Sequence, residues 1–423
     1  MRITVDEQYA VEISDSRARP TLVVTLDRER GASRRVGVPA GASTGSREAV
    51  ERRDGDPARD AGQGVRGAVA SVNGALLDAL AGRSFDSLAD VDAHLIALDG
   101  TEDRSRLGAN AIVGCRWSSL ARSRPWPGSR CGEASPSCWA APACPSRTST
   151  SSTAGCTPAM GWASRCSCSP RSALRAWRRR CGQGPRPTPR YETCSEAGDR
   201  RRDRGDAGGF APELTRPEDV LEQLAAAITL AGYLPGRHGV AIAMDPASSE
   251  LEREGSSHVA GESLSTEDMI GRYEEIVERF PVWQLEGGLA EPGWDGWKRL
   301  TARIGDRVEL VGDDISCTSP SIMSDTIARK VANASLITVN QTGTVTETLR
   351  AMRVCQEAGY AQFVSHRSGE TADAFIADLA VGTDCGHMKR GAPDRDERIA
   401  AYNRLIEIED AETLPYGLRE PRA

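Results

Sequence analysis

The chain has 423 residues, 39% of them hydrophobic and 27% charged, enough to bury a sizeable core across two or three domains. No apolar run reaches the roughly 18 residues that a membrane-spanning helix needs. The first twenty residues carry acids where a signal peptide requires an apolar stretch, so the expected compartment is the cytoplasm. A net charge of −7 argues against nucleic acid as the main partner.

Residues 2 to 40 alternate apolar and polar side chains, most clearly in Thr21-Leu-Val-Val-Thr-Leu26, a pattern that predicts the strands of a meander. Helical spacing follows from about 65 to 98, strongest in VRGAVASVNGALLDAL, and returns in GANAIVG at 108 to 114. Together these elements predict a small α+β domain, placed at residues 1–130, that caps a second domain at 131–423.

Residues 116 to 190 break the pattern. They hold 13 arginines and one acid, Glu133, a net +12 that leaves −19 for the rest of a chain whose total is −7. They also contain 7 of the 12 cysteines, 5 of the 8 tryptophans and 10 of the 23 prolines, with no Val, Ile, Phe, Asp, Asn, Lys or His. A disulfide domain conflicts with the cytosolic character of the flanks, and no paired CxxC units point to a metal. A basic arm for nucleic acid would be poor in Trp and Cys. A shifted reading frame is the third explanation. Back-translated from Cys115 with codons begun on the third base, the segment permits Ser-Val-Val-Leu-Ala-Arg-Ala-Leu-Ala, which continues the preceding helix. On this reading 116–204 is frame-shifted or scrambled.

After residue 210 short apolar runs alternate with longer helical patterns. The runs are Val240–Met244, Val282–Leu285, Val308–Val311, Leu336–Val339 and Gln362–Val364, and helices are predicted at 266 to 279 and 346 to 358. A strand followed by a helix every 25 to 40 residues indicates a parallel α/β fold, and this many units favours a β/α barrel. A doubly wound sheet is the alternative, without a GxGxxG turn to support it.

In such a barrel the residues at the C-terminal ends of the strands face the active-site mouth. Those positions are Asp245, Glu286, Asp313 with Asp314, Asn340, and Ser365-His366-Arg367. Each acid taken singly is as well explained as a helix N-cap. Converging carboxylates, however, repel unless a cation neutralises them, and oxygen ligands suit Mg2+. Arg367 beside them suits a phosphate or carboxylate ligand, whereas a lone His366 is more often structural. Lys389 is one of 3 lysines against 50 arginines, which points to a specific need for a compact ammonium. The loop Val38-Pro-Ala-Gly-Ala-Ser-Thr-Gly45 offers backbone and hydroxyl oxygens but is a weak signal alone.

Longer stretches carry a family resemblance. ISDSRARPT at 13 to 21, VPAGASTGSREAVERRDGD at 38 to 56, DGTEDRSRLGANAIVG at 99 to 114, GDAGGFAPEL at 205 to 214, GLAEPGWDGWK at 288 to 298, VNQTGTVTETL at 339 to 349, SHRSGET at 365 to 371 and KRGAPDRDERIAAYNRL at 389 to 405 resemble enolase, the Mg2+-dependent phosphopyruvate hydratase. The resemblance covers about 1 to 114 and 205 to 410, and enolases continue GANAILG with a helix of the kind the shifted frame restores. It implies an enolase-like β/α barrel with an N-terminal α+β domain, a small phosphorylated carboxylate as substrate, and a homo-oligomer. It also implies Asp245, Glu286 and Asp313 as ligands of one Mg2+ and Ser43 as a ligand of a second. Arg367 and Ser368 would hold phosphate, Lys389 the substrate carboxylate, and His366 would be an active-site histidine.

The departures fall on the proton chemistry. The family's base lysine is Thr338 here, in LITVNQ, and the glutamate of GDEGGFAP is Ala207. A second family glutamate and a histidine would lie inside 116–204. Gly287 stands where the family has Asp after the metal-ligating Glu286, and Ala40 where Ser is usual. These losses favour a specialised paralogue, of the kind that makes carboxyphosphonoenolpyruvate in phosphinate antibiotic pathways. The alternatives are a glycolytic enolase with sequence errors and a non-catalytic enolase-like binding protein.

Overall fold

The computed structural model describes residues 3–4, 8–26, 34–120, 144–148, 163–168, 205–209, 211, 214, 216–237, 239–393, 395–411 and 416–417. Most of the segment assigned above to a shifted frame therefore lies outside the described residues.

Three antiparallel strands open the chain: β1 (Gln8–Ser14), β2 (Pro20–Leu26) and β3 (Arg34–Gly37), with β2 in the middle and Val11 opposite Val23. The alternation expected for 21 to 26 does not translate into alternating exposure. All six residues are buried because the central strand is covered on both faces, and Thr21 satisfies its hydroxyl by donating to the Val38 carbonyl at 2.6 Å.

The helical stretch that follows is a rod of α1 (Arg66–Ser71), a wide π-turn (Val72–Leu76) and α2 (Leu77–Leu80). Periodicity alone predicts an uninterrupted α-helix here. Asn73, inside the wide turn, exchanges two hydrogen bonds with the Ala10 backbone of β1, receiving one at 2.6 Å and giving one at 3.0 Å. α3 (Leu88–Asp99) starts at Ser87, whose hydroxyl accepts from the Asp90 amide, and stops at Gly100 in the left-handed region at φ 71°. α4 (Ala109–Leu120) lies close against the sheet, since a Cβ on Gly114 would sit 2.6 Å from Val24 Cγ2.

The second part is, among the described residues, a nine-stranded sheet whose outermost strand is the short Tyr416–Gly417, paired with Cys144–Thr148. Two of its strands fall in the compositionally odd segment: β4 (Cys144–Thr148) and β5 (Ala163–Cys168). After α5 (Pro217–Leu230) come six strands: β6 (Val240–Asp245), β7 (Val282–Glu286), β8 (Glu309–Gly312), β9 (Ala334–Ile337), β10 (Ala361–Ser365) and β11 (Gly386–Lys389). They pair in chain order and in parallel, with β4 parallel beside β11 and β5 antiparallel beside β6, a departure from an all-parallel barrel.

The helices between them are α6 (Thr266–Arg279), α7 (Trp294–Ile304), α8 (Pro320–Ala328), α9 (Val345–Ala358) and α10 (Phe375–Gly382), and α11 (Asp396–Ala411) follows β11. α6 spans the range predicted for it, fixed at its start by a capping box between Ser265 and Asp268. β11 has no periodic signal because His387 points into the barrel interior, stacked on Phe363 at 4.5 Å between centroids.

One apolar cluster joins the two parts. Leu22, Val24 and Val38 from the N-terminal sheet pack in it with Ile337, Val339, Val364 and Met388 from the barrel. Complete burial of an aliphatic side chain contributes about 1.5–3 kcal/mol, so this shared cluster fixes the N-terminal loops over the barrel's end. A second cluster fills the space between β6, β7 and their helices, with Met244, Tyr273, Leu285 and Trp297.

Candidate active site

Parallel pairing brings the strand ends to one level. Leu285 pairs with Met244 and Glu286 with Val311, so Asp245 and Glu286 stand side by side as the last residues of β6 and β7, with Asp313 just past β8. Thr338 follows β9, His366, Arg367 and Ser368 follow β10, and Lys389 closes β11 opposite Ser365. The 40–48 loop reaches this end because Ala40 and Gly369 exchange backbone hydrogen bonds at 2.8 and 2.9 Å. Residues 205–209 reach it through Ala207, whose carbonyl accepts from the Ala392 amide at 2.9 Å.

The result is a solvent-open cavity of about 130 Å³, lined among others by Ser43, Ala207, Asp245, Asp313, Thr338, His366, Arg367, Ser368 and Lys389. Of the strand-end residues singled out in the sequence, Asn340 and Glu286 do not line it. Glu286 is 1% exposed and lies behind Lys389.

Both cations expected to receive substrate are paired. Lys389 Nζ donates to Asp245 Oδ2 at 3.1 Å and also to Glu286 Oε1. Arg367 grips Glu48 with both terminal nitrogens, at 2.9 and 3.3 Å, and reaches the Ser43 carbonyl at 3.5 Å. Burial alone would lower the basicity of Arg367, but Glu48 and Glu51 outweigh it and hold the guanidinium above its ordinary value. Gly41 makes this possible, because a Cβ there would lie 2.1 Å from Arg367 Nη2.

Glu48 and Gln341 were not singled out in the sequence. Gln341 Nε2 donates to Asp313 Oδ1 at 2.9 Å and to Glu48 Oε1 at 3.2 Å, tying the barrel to the N-terminal loop. Glu48 had a signal in being the first acid after the Gly- and Ser-rich loop. Asn340, noted as a strand-end residue, donates to Glu51 Oε1 at 3.0 Å and to the Pro39 carbonyl.

Among the described residues, seven acids line the cavity (Glu48, Asp206, Asp245, Glu250, Glu291, Asp313 and Asp314) against two permanent cations, Arg367 and Lys389. Burial, followed by the charges of Asp314 and Glu48, pushes the Asp313 carboxyl up to about 8. Burial, followed by Glu48 and Glu291, pushes Asp314 up to about 6. An oxygen-rich site so short of positive charge has the donor chemistry of a hard divalent cation. Among the described residues no three Asp, Glu, His or Cys side chains are already gathered as a ligand set, and the Lys389 ammonium lies between two of the candidate ligands.

Two family models match the chain. Residues 5–124 match the enolase N-terminal domain and residues 191–416 match the enolase C-terminal TIM barrel domain. The chain belongs to the enolase family.

As a member of that family it falls among enolase-type lyases, with the N-terminal domain and β/α barrel of that fold. Among its described residues no helix is long and apolar enough to cross a membrane. The chain has Thr338 and Ala207 on the wall of the same cavity as Lys389, both buried. Neither side chain can exchange a proton as a base lysine or an acid glutamate does. Gly287, in place of an acid beside Glu286, sits in the left-handed region at φ 57°, which suits glycine.

Proposed function

We propose that this enolase-family protein acts on a 2-phosphoglycerate-like phospho-carboxylate and forms an enol phosphate by altered proton chemistry, as a specialised biosynthetic paralogue similar to carboxyphosphonoenolpyruvate synthase. The observation that carries this reading is Thr338, buried in the wall of the charged cavity where the family places its base. It lies in a well-matched stretch far from the compositionally odd segment. The net reaction removes the proton beside the carboxylate, breaks the neighbouring carbon–oxygen bond and releases water as the double bond forms.

Arg367 and Ser368 would hold the phosphate, with Arg367 turning from Glu48 to do so. Lys389 would hold the carboxylate, and His366 would face the substrate from the same loop as Arg367. Asp245, Glu286 and Asp313, with Ser43 from the loop, are the oxygen donors that would hold Mg2+. When bound, the metal supplies electrostatic stabilisation of the negative charge that builds on the substrate carboxylate. Partners beyond this small molecule are a second copy of the chain and no nucleic acid or membrane, in the cytoplasm.

A positioned acid or base is worth about 10² to 10⁴ in rate, so the loss of two should leave ordinary 2-phosphoglycerate turnover very low. The test is phosphoenolpyruvate formation from 2-phosphoglycerate with Mg2+, by the wild-type chain and by Thr338→Lys with Ala207→Glu. Ordinary enolase rates from the wild-type chain would overturn the proposal. A gain by the double variant, with turnover of a phosphono-substituted analogue by the wild type, would support it. Cation binding without turnover of any analogue would favour a binding protein.

A glycolytic enolase altered by sequence error is favoured by one observation. Arg116, next to the proposed frame change, is 1% exposed between Cys115 and Trp117 in the apolar cluster, where a helix restored by the other frame would begin with the uncharged run Ser-Val-Val-Leu.

A further inference from the structure

The mechanism above leaves Arg398 unused, although it is completely buried at the start of α11. Its Nη1 donates to the Arg367 carbonyl at 2.9 Å, and its Nη2 to the Ser368 carbonyl at 2.7 Å and the Asp206 carbonyl at 3.3 Å. The same Nη1 contacts Nδ1 of His366. Arginine carries five N–H donors and no acceptor, so in this contact Nδ1 must be the acceptor. The imidazole proton is then on Nε2, the remaining nitrogen with which His366 can address the cavity that it lines.

The surroundings favour that state. Burial, only partly opposed by Glu370, lowers Arg398 to about 10, so it remains a cation across the neutral range. The charged groups packed around the pair are Glu370 from the loop after β10, Lys389 and Arg390 from the end of β11, and Arg395 and Glu397 beside Arg398 itself. Glu370 is engaged by Arg390 at 2.9 Å and by the Arg367 amide at 2.8 Å. A proton on Nδ1 would set one N–H against another, and a doubly protonated ring would put two buried cations in contact.

We propose that Arg398 is a positioning residue that fixes His366 as a neutral imidazole protonated on Nε2, so that His366 serves the substrate as a hydrogen-bond donor to one of its oxygens and does not exchange protons. The role toward substrate rests on the function proposed above. The tautomer does not.

The test is nitrogen NMR of the full chain labelled at its histidines, of which there are five, with His366→Gln assigning the signal. In the wild type the His366 ring should keep Nε2 protonated and Nδ1 bare from about pH 5.5 to 8. In Arg398→Met it should titrate near the ordinary histidine value of about 6.5. A wild-type Nδ1 that carries a proton, or a wild-type ring that titrates as the Arg398→Met ring does, overturns the proposal. If Arg398→Met does not fold, Arg398→Gln, which also removes the charge, replaces it and the wild-type spectrum still decides the tautomer. In turnover, His366→Gln, a permanent neutral donor, should stay within about tenfold of wild type while His366→Ala falls by about 10² or more. Equal losses would mean that the ring transfers a proton. An enzyme inactive on every phospho-carboxylate would instead remove the proposed function and leave the NMR result standing.

Discussion

Lys389 Nζ lies 3.1 Å from Asp245 Oδ2, and the same ammonium reaches Glu286, so one side chain supplies the positive charge for two of the three carboxylates expected to bind Mg2+. A bound divalent ion and this ammonium would share the same two acids, and their charges repel. Lys389 would thus compete with a metal at these acids as well as being a candidate ligand for the substrate.

Lys389→Met should therefore bind Mg2+ or Mn2+ more tightly than the wild type, on the order of tenfold, because a unit charge a few ångströms away is worth at least about 1 kcal/mol even when well screened. Lys389→Arg, which keeps the charge, should show no such gain. Calorimetric titration of the metal-free protein reads this directly. Unchanged or weaker affinity in Lys389→Met would show that the lysine does not compete. Asp245→Ala should weaken cation binding, and unaltered affinity there would remove Asp245 from the ligand set.

The acid cluster also makes a pH prediction. Asp313 is pushed up to about 8 and Asp314 to about 6, above the ordinary aspartate range. A carboxyl raised by folding contributes stability that is complete below its unfolded value and is lost as pH rises through its folded one. The metal-free protein should accordingly lose stability between about pH 4 and 8. Asp313→Asn should flatten that decline and be more stable than wild type at pH 8 by at least about 1 kcal/mol, since one pH unit of displaced titration is worth about 1.4 kcal/mol. Urea unfolding at pH 5 and pH 8 tests it, and equal pH dependence of the two proteins would refute it.

The strand-end acids were legible because parallel strands that end in Asp or Glu place those residues at one mouth wherever the barrel closes. Lys389 was legible from its rarity and from the motif around it. Its pairing with Asp245 and Glu286 was not, since nothing local to residue 389 specifies which strand end, more than 100 positions away, it will meet. β11 escaped the periodicity rule because a barrel interior accepts His387 against Phe363 and Trp283, whereas the rule counts polar residues as outward. The π-turn at Asn73 was hidden for a related reason, because its cause is a bond to the Ala10 backbone. His366, which alone suggested a structural histidine, gains a chemical state only from Arg398, 32 residues later.

Two glycines in similar-looking helical sequence should respond oppositely to alanine. A Cβ on Gly114 would meet Val24 Cγ2 at 2.6 Å and Val38 Cγ2 at 3.0 Å, both valines fully buried, so Gly114→Ala should destabilise by about 1–3 kcal/mol through overpacking. Nothing lies within 4 Å of a Cβ on Gly74, and Gly74→Ala should be neutral or stabilise by up to about 1 kcal/mol. Thermal melts of the two variants measure the difference. Equal effects would mean that α4 does not lie as close to the sheet as described.

Arg116 tests whether the chain's core tolerates the residue written there. Its Nε lies 2.5 Å from Asp92 Oδ1, while its Nη1 is buried without a hydrogen-bond partner among the described residues. Burial, opposed by Asp92, lowers the basicity of the guanidinium. Asp92 has other support, since it accepts from the Thr346 amide at 2.8 Å and from the Thr346 hydroxyl. Removing one member of a buried ion pair costs about 3–5 kcal/mol, whereas replacing the pair with packed neutral groups is often neutral or stabilising. Arg116→Leu should therefore be destabilised, and Arg116→Leu with Asp92→Asn should recover to at least wild-type stability. A double variant no more stable than Arg116→Leu would show that Arg116 holds α4 in place by more than its charge, and would weaken the case that an uncharged residue belongs at that position.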